Sequence, residues 1–161
     1  MEVLEASIHL PRITSSPSSL SRGIHLVILI HGFQGNSFDM KLLKNNLLLY
    51  KPELLIYCSN KNEDNTEGDI AEMGRRLAEE IQEYIRDFCP GSALGRLSFI
   101  GYSLGGIIAR ACFPHLGSLH SKFHTFITLS SPHISFLYSS SSLFDAGKPE
   151  FYYQACGFSK S

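Results

Sequence analysis

One stretch of this chain has the residue types and spacing to do chemistry: Gly101-Tyr102-Ser103-Leu104-Gly105, a Gly-x-Ser-x-Gly pattern continued by Gly106. An apolar run, Leu97 to Ile100, leads into it, and Ile107, Ile108 and Ala111 follow at the spacing of a buried helix face. The pattern reads as a strand, a sharp turn and a helix. A serine on such a turn is pushed out of the backbone path, and the residues two before and two after it must lack side chains. Gly101 and Gly105 meet that need, which makes Ser103 the candidate nucleophile.

Acyl transfer through serine also needs a base and backbone N–H groups aimed at the oxygen that becomes charged. The N–H of Leu104, directly after the nucleophile, is one candidate donor. The second should come from the loop after an earlier strand, and His31-Gly32-Phe33-Gln34-Gly35 is placed for it. Gly32 lets that backbone approach closely, so Phe33 is the expected donor and Gln34 the second choice. His31, at the strand end, is expected to hold the loop's shape.

The elements that must position these groups follow a regular order. Residues Ile24 to Ile30 form an apolar run, as in a strand covered on both faces. Asn36 or Ser37 can cap a helix reaching Tyr50, with Phe38, Leu42, Leu43, Leu47 and Leu49 as an inward stripe. Leu54 to Cys58 is the next strand, and Ser59 to Gly68 a polar loop. Asp69-x-x-Glu72 opens a helix to about Phe88. Its apolar face carries Ile70, Met73, Leu77, Ile81, Tyr84, Ile85 and Phe88; its charged residues, Glu80 among them, read as a solvated face. After the serine turn and its helix, Pro114 to Ser121 reads as a loop and Phe123 to Leu129 as a fourth strand. Strands alternating with helices predict an α/β parallel sheet with helices on both faces.

Residues 1–23 read as an N-terminal segment with a Ser/Pro-rich linker, 24–147 as the domain, and 148–161 as an irregular tail. The 161 residues, 43% hydrophobic, suffice for one domain. A net charge of −1 gives no electrostatic footprint for nucleic acid or an anionic membrane. Cys58, Cys89, Cys112 and Cys156 are scattered without metal-ligand spacing, so no metal site is expected and a reducing compartment is. The apolar runs are too short to cross a bilayer and the N-terminus lacks signal-peptide form, so the expected location is cytoplasmic.

Four motifs in order carry a resemblance: the strand ending in His31-Gly32-Phe33-x-Gly35-Asn36, the segment Thr66 to Ile81, the Gly101–Gly106 turn, and Leu129-Ser130-Ser131-Pro132-His133. Over about 24–147 the chain resembles a lipase-like family of serine esterases within the α/β-hydrolase fold. The resemblance implies hydrolysis of carboxylic esters, lipids among them, through a Ser103 acyl-enzyme and with no cofactor. It also implies that His133 belongs to a strand-end motif and is not the base.

In α/β-hydrolases the acid and then the histidine follow the serine. Here all seven histidines precede Asp145, the acid candidate by chain order, so the base is missing from its expected place. His133 is the substitute by position. Two readings follow. One is a serine hydrolase domain cut short, with a partial sheet lacking its last strands and with little or no esterase activity in this chain. The other is an inactive hydrolase-like protein that binds a lipid or a protein on the same surface. Phe33, Tyr102, Phe136, Leu137 and Tyr138 are expected to border an apolar groove for an acyl chain.

Overall fold

A computed structural model describes residues 23–133. The N-terminal segment, the tail, Cys156, Asp145 and the groove residues Phe136, Leu137 and Tyr138 lie outside the described residues.

The chain runs through β1 (Ile24–Ile30), α1 (Lys41–Tyr50), β2 (Leu55–Cys58), α2 (Ile70–Phe88), β3 (Leu94–Tyr102), α3 (Leu104–Cys112) and β4 (Phe123–Leu129). The four strands are all parallel in the order β2-β1-β3-β4, so the strand leading to Ser103 is internal. In β1 the side-chain alternation serves two cores, as a doubly covered strand requires. Leu26, Ile28 and Ile30 pack with Met73, Leu77, Ile81 and Ile108 of α2 and α3. Val27 and Leu29 face Met40, Ile56 and Ile100, with Leu43 and Leu47 packed against them.

Asp69 caps α2 by accepting the N–H groups of Ala71 and Glu72 at 2.7 and 3.1 Å. Its Gly74 lies against Ala111, which lets α2 and α3 touch backbone to backbone. No helix among the described residues is long and apolar enough to cross a membrane.

Three expectations need correction. The Phe38–Leu49 stripe does not turn inward as a whole: Leu43 and Leu47 pack on the sheet, while Phe38, Leu42 and Leu49 are about three-quarters exposed. The stripe is wider than the sheet it covers, and a 3₁₀ turn at Ser37–Met40, with three residues per turn, rotates Phe38 off the face that Met40, Leu43 and Leu47 share. Residues 113–122 form 3₁₀ turns instead of an open loop, with Leu116 fully buried beneath α3. Glu80 is not on the solvated face but 97% buried, at 3% exposure. Its carboxylate accepts from Tyr57 Oη (2.8 Å), Ser59 Oγ (2.6 Å), Asn60 N (2.8 Å) and Lys61 N (3.2 Å), and so ties the end of β2 to α2. Burial, reinforced by Glu80, holds the Tyr57 phenol well above its usual range.

β4 carries Phe126, Ile127 and Leu129, each about two-fifths exposed, at one edge of the described sheet.

Candidate active site

The pairing of β1 with β3 sets Ile30 beside Gly101, so the loop that leaves β1 starts next to Tyr102 and Ser103. A Cβ built on Gly32 would stand 3.1 Å from Ser103 Cβ and 3.3 Å from Tyr102 Cδ1. The His31–Gly35 loop and the serine turn are therefore packed against each other at the C-terminal edge of the sheet, where parallel α/β sheets place their sites.

Ser103 has φ +52° and ψ −121°, outside the regions open to most L-residues. Its N–H donates to the Leu129 carbonyl at 2.8 Å, and its carbonyl accepts from Gly106 N at 3.2 Å. A Cβ on Gly101 would run into the Gly105–Gly106 backbone, and one on Gly105 into the carbonyls of Ile30 and His31. The turn thus exists only because both positions are glycine. Gln34, Ser103 and Ser130 are the three non-glycine residues with positive φ among the described residues, and all three lie at this edge. Strain of this kind costs on the order of 1–3 kcal/mol per residue and collects at functional sites. Ser103→Gly is accordingly expected to raise folding stability by about 0.5–1.5 kcal/mol in urea unfolding. A loss of stability would show that the turn is unstrained.

Leu104 opens α3, and as the first helical residue its N–H has no intrahelical acceptor. Phe33 is half-buried against the main core, and no acceptor among the described residues takes its N–H. Gln34 differs: its N–H donates to Thr66 Oγ1 at 2.8 Å and its side-chain amide to Glu67 Oε1 at 2.8 Å. Tyr102 is half-exposed beside the loop.

His31 is fully buried; its Nδ1 donates to the Gly32 carbonyl at 3.0 Å, while its Nε2 and, just past β4, Ser131 Oγ have no hydrogen-bond partner among the described residues. His133 Nε2 is 3.1 Å from Thr128 Oγ1, and burial, with Arg110 adding to it, lowers the His133 pKa from its ordinary value. His25 lies elsewhere on the sheet, bonded to Ser98 Oγ at 2.8 Å.

Two residues close to this edge were given no role in the sequence reading. Thr66 takes the Gln34 N–H, and Glu63 Oε1 accepts the Ser37 N–H at 2.7 Å. Hydrogen bonds from the Ser37 side chain and backbone hold the Glu63 carboxyl below its usual range. For Thr66 the one signal was its place in the Thr66–Ile81 segment; Glu63 carried none. Among the described residues no His/Cys/Asp/Glu group has the makings of a metal site.

Residues 21–156 match the family described as "Putative serine esterase (DUF676)". A Saccharomyces cerevisiae protein named "Putative lipase YDL109C" is 32% identical over 151 residues, covering 81% of this chain. Another from the same yeast, "Putative lipase ROG1", is 30% identical over 122 residues, covering 67% of this chain. The chain spans only 22% and 17% of the length of these two relatives. A lipase of Bacillus licheniformis superposes with a TM-score of 0.52 at 20% identity, over 74% of this chain and 47% of that one, a likeness of fold. With the parallel sheet, the glycine-bounded serine turn and a family match over most of its length, this chain belongs to the "Putative serine esterase" family and has the α/β-hydrolase fold.

Proposed function

We propose that this domain, placed at residues 24–147, supplies the nucleophile and oxyanion side of a serine hydrolase acting on carboxylic esters. The observation that carries the reading is the contact of the Gly32 loop with Ser103 at a strained turn. In the proposed reaction Ser103 Oγ bonds to the ester carbonyl carbon, and the carbonyl oxygen takes the negative charge. The N–H groups of Phe33 and Leu104 receive that charge. The tetrahedral centre then collapses with cleavage of the ester C–O bond, the leaving oxygen takes the proton that a base has removed from Ser103 Oγ and departs as the alcohol, and water hydrolyses the acyl-enzyme to the carboxylic acid and free Ser103.

His133, held on Thr128 Oγ1, is assigned to the structure of the β4 end. The base and the acid are left to residues outside 23–133. Phe33 and Tyr102, aromatic residues of the two segments that meet at Ser103, favour an ester with a long acyl chain. The relatives named as lipases support the same class. Free Cys58, Cys89 and Cys112 fit a cytoplasmic site of action.

The test is a fluorophosphonate probe with peptide mapping. The 161-residue chain is expected to be labelled slowly and at Ser103, with labelling abolished by heat or by Ser103→Ala and accelerated by added imidazole as a surrogate base. Without a base, an oxyanion hole and binding still leave roughly a 10³–10⁴-fold acceleration in serine hydrolases. Labelling spread over other serines, or unchanged in Ser103→Ala, refutes the reading.

A further inference from the structure

Thr66 stands just before α2, buried in a loop whose neighbouring residues Asn65, Glu67 and Gly68 are exposed. Its hydroxyl oxygen accepts the Gln34 N–H at 2.8 Å. Gln34 is the third residue of a turn closed by the Gly35 N–H on the Gly32 carbonyl at 3.2 Å, and its φ is +50°. Positive φ at that position belongs to a type II turn, which favours glycine there; the type I alternative has negative φ. The two forms differ by rotation of the peptide between Phe33 and Gln34. That rotation swings the Gln34 N–H away from Thr66 and brings the Phe33 carbonyl round in its place.

The turn is therefore held in a form that glutamine disfavours by a bond from outside it. The loop that provides the bond is anchored in turn. Glu80 receives its first residues, Asn62 Nδ2 donates to the Met73 carbonyl at 3.1 Å, and Arg76 donates to Asn62 Oδ1 at 2.9 Å and to the Asn65 carbonyl at 3.2 Å. A continuous set of hydrogen bonds leads from α2 to the turn beside Ser103.

We infer that Thr66 is a positioning residue for the oxyanion hole: by taking the Gln34 N–H it keeps that group out of the hole and fixes the 32–35 turn, so that the turn holds the Phe33 N–H in one place beside Ser103. The inference rests on the reading of Ser103 as nucleophile. Thr66 itself does not touch the reacting atoms.

The experiment measures the rate constant for fluorophosphonate labelling of Ser103, together with hydrogen exchange of the Gln34 amide by NMR. Thr66→Val keeps the side-chain shape and removes the acceptor. It is expected to slow labelling by about 5- to 30-fold and to expose the Gln34 amide to exchange. In a Gln34→Gly background the same substitution should slow labelling less than about two-fold, because glycine adopts positive φ unaided. Gln34→Val, at an exposed position, leaves Thr66 in place and, like Gln34→Gly, gives up only the exposed bond to Glu67. Its β-branch resists positive φ, so it should slow labelling comparably with Thr66 intact.

Equal losses from Thr66→Val in both backgrounds would mean that Thr66 serves only the fold, and would overturn the inference. So would a Gln34→Val chain labelled at the parent rate. A parent chain that is folded, protects its Gln34 amide and is not labelled at Ser103 overturns the hydrolase reading itself, before any variant is compared, and this inference with it.

Discussion

Glu80→Ala is expected to lower folding stability by about 3–5 kcal/mol, a loss typical of breaking a buried charged network. Glu80 accepts from four donors, and Ser59, one of them, is itself 1% exposed. Alanine leaves all four without that acceptor and opens a hole between β2 and α2. Glu80→Gln should cost less, about 1–2 kcal/mol. Its amide oxygen can keep the place of Oε1 for Tyr57, Asn60 and Lys61, while its NH₂ faces a Ser59 hydroxyl able to turn and accept. Urea unfolding followed by circular dichroism gives the series. A cost below about 1 kcal/mol for alanine would mean that water replaces the carboxylate freely. The consequence reaches the candidate site, because the loop that Glu80 anchors carries Thr66 and Glu63.

Gly105→Ala is expected to be at least as severe, costing more than about 4 kcal/mol or preventing folding outright. The added methyl would lie 2.9 Å from Ile30 C and closer still to the carbonyl oxygens of Ile30 and His31. Those are backbone atoms at the end of a strand paired on both sides, so they cannot retreat as a flexible side chain would. Gly117→Ala is the control, since a Cβ there meets nothing within 4 Å. Soluble yield and thermal unfolding should separate the two variants clearly. Similar behaviour of both would mean that the strand end and the serine turn are looser than their contacts require.

The order of elements was legible in the sequence because each depends on its own neighbours along the chain. A doubly covered strand such as Ile24–Ile30 shows as an unbroken apolar run, the Asp69 cap as an acidic residue before a helical period, and the serine turn as glycines at fixed offsets. The parallel arrangement followed from the alternation of strand and helix, with little left for tertiary structure to choose.

What the tertiary structure alone decided are the matters in which a residue's role is set by what lies across space from it. The apolar stripe of α1 was wider than the sheet surface available, and nothing local says that Leu43 and Leu47 face inward while Leu42 stays out. Glu80 sits among charged neighbours on a helix whose period gives no sign that Tyr57 and Ser59, more than twenty positions earlier, aim donors at it. The sequence ranks the Phe33 N–H above that of Gln34 through Gly32 alone, and says nothing of what either N–H bonds. The Gln34 N–H is taken by Thr66, thirty-two residues further on, and a hydrogen bond is made by proximity and direction and leaves no period in the chain.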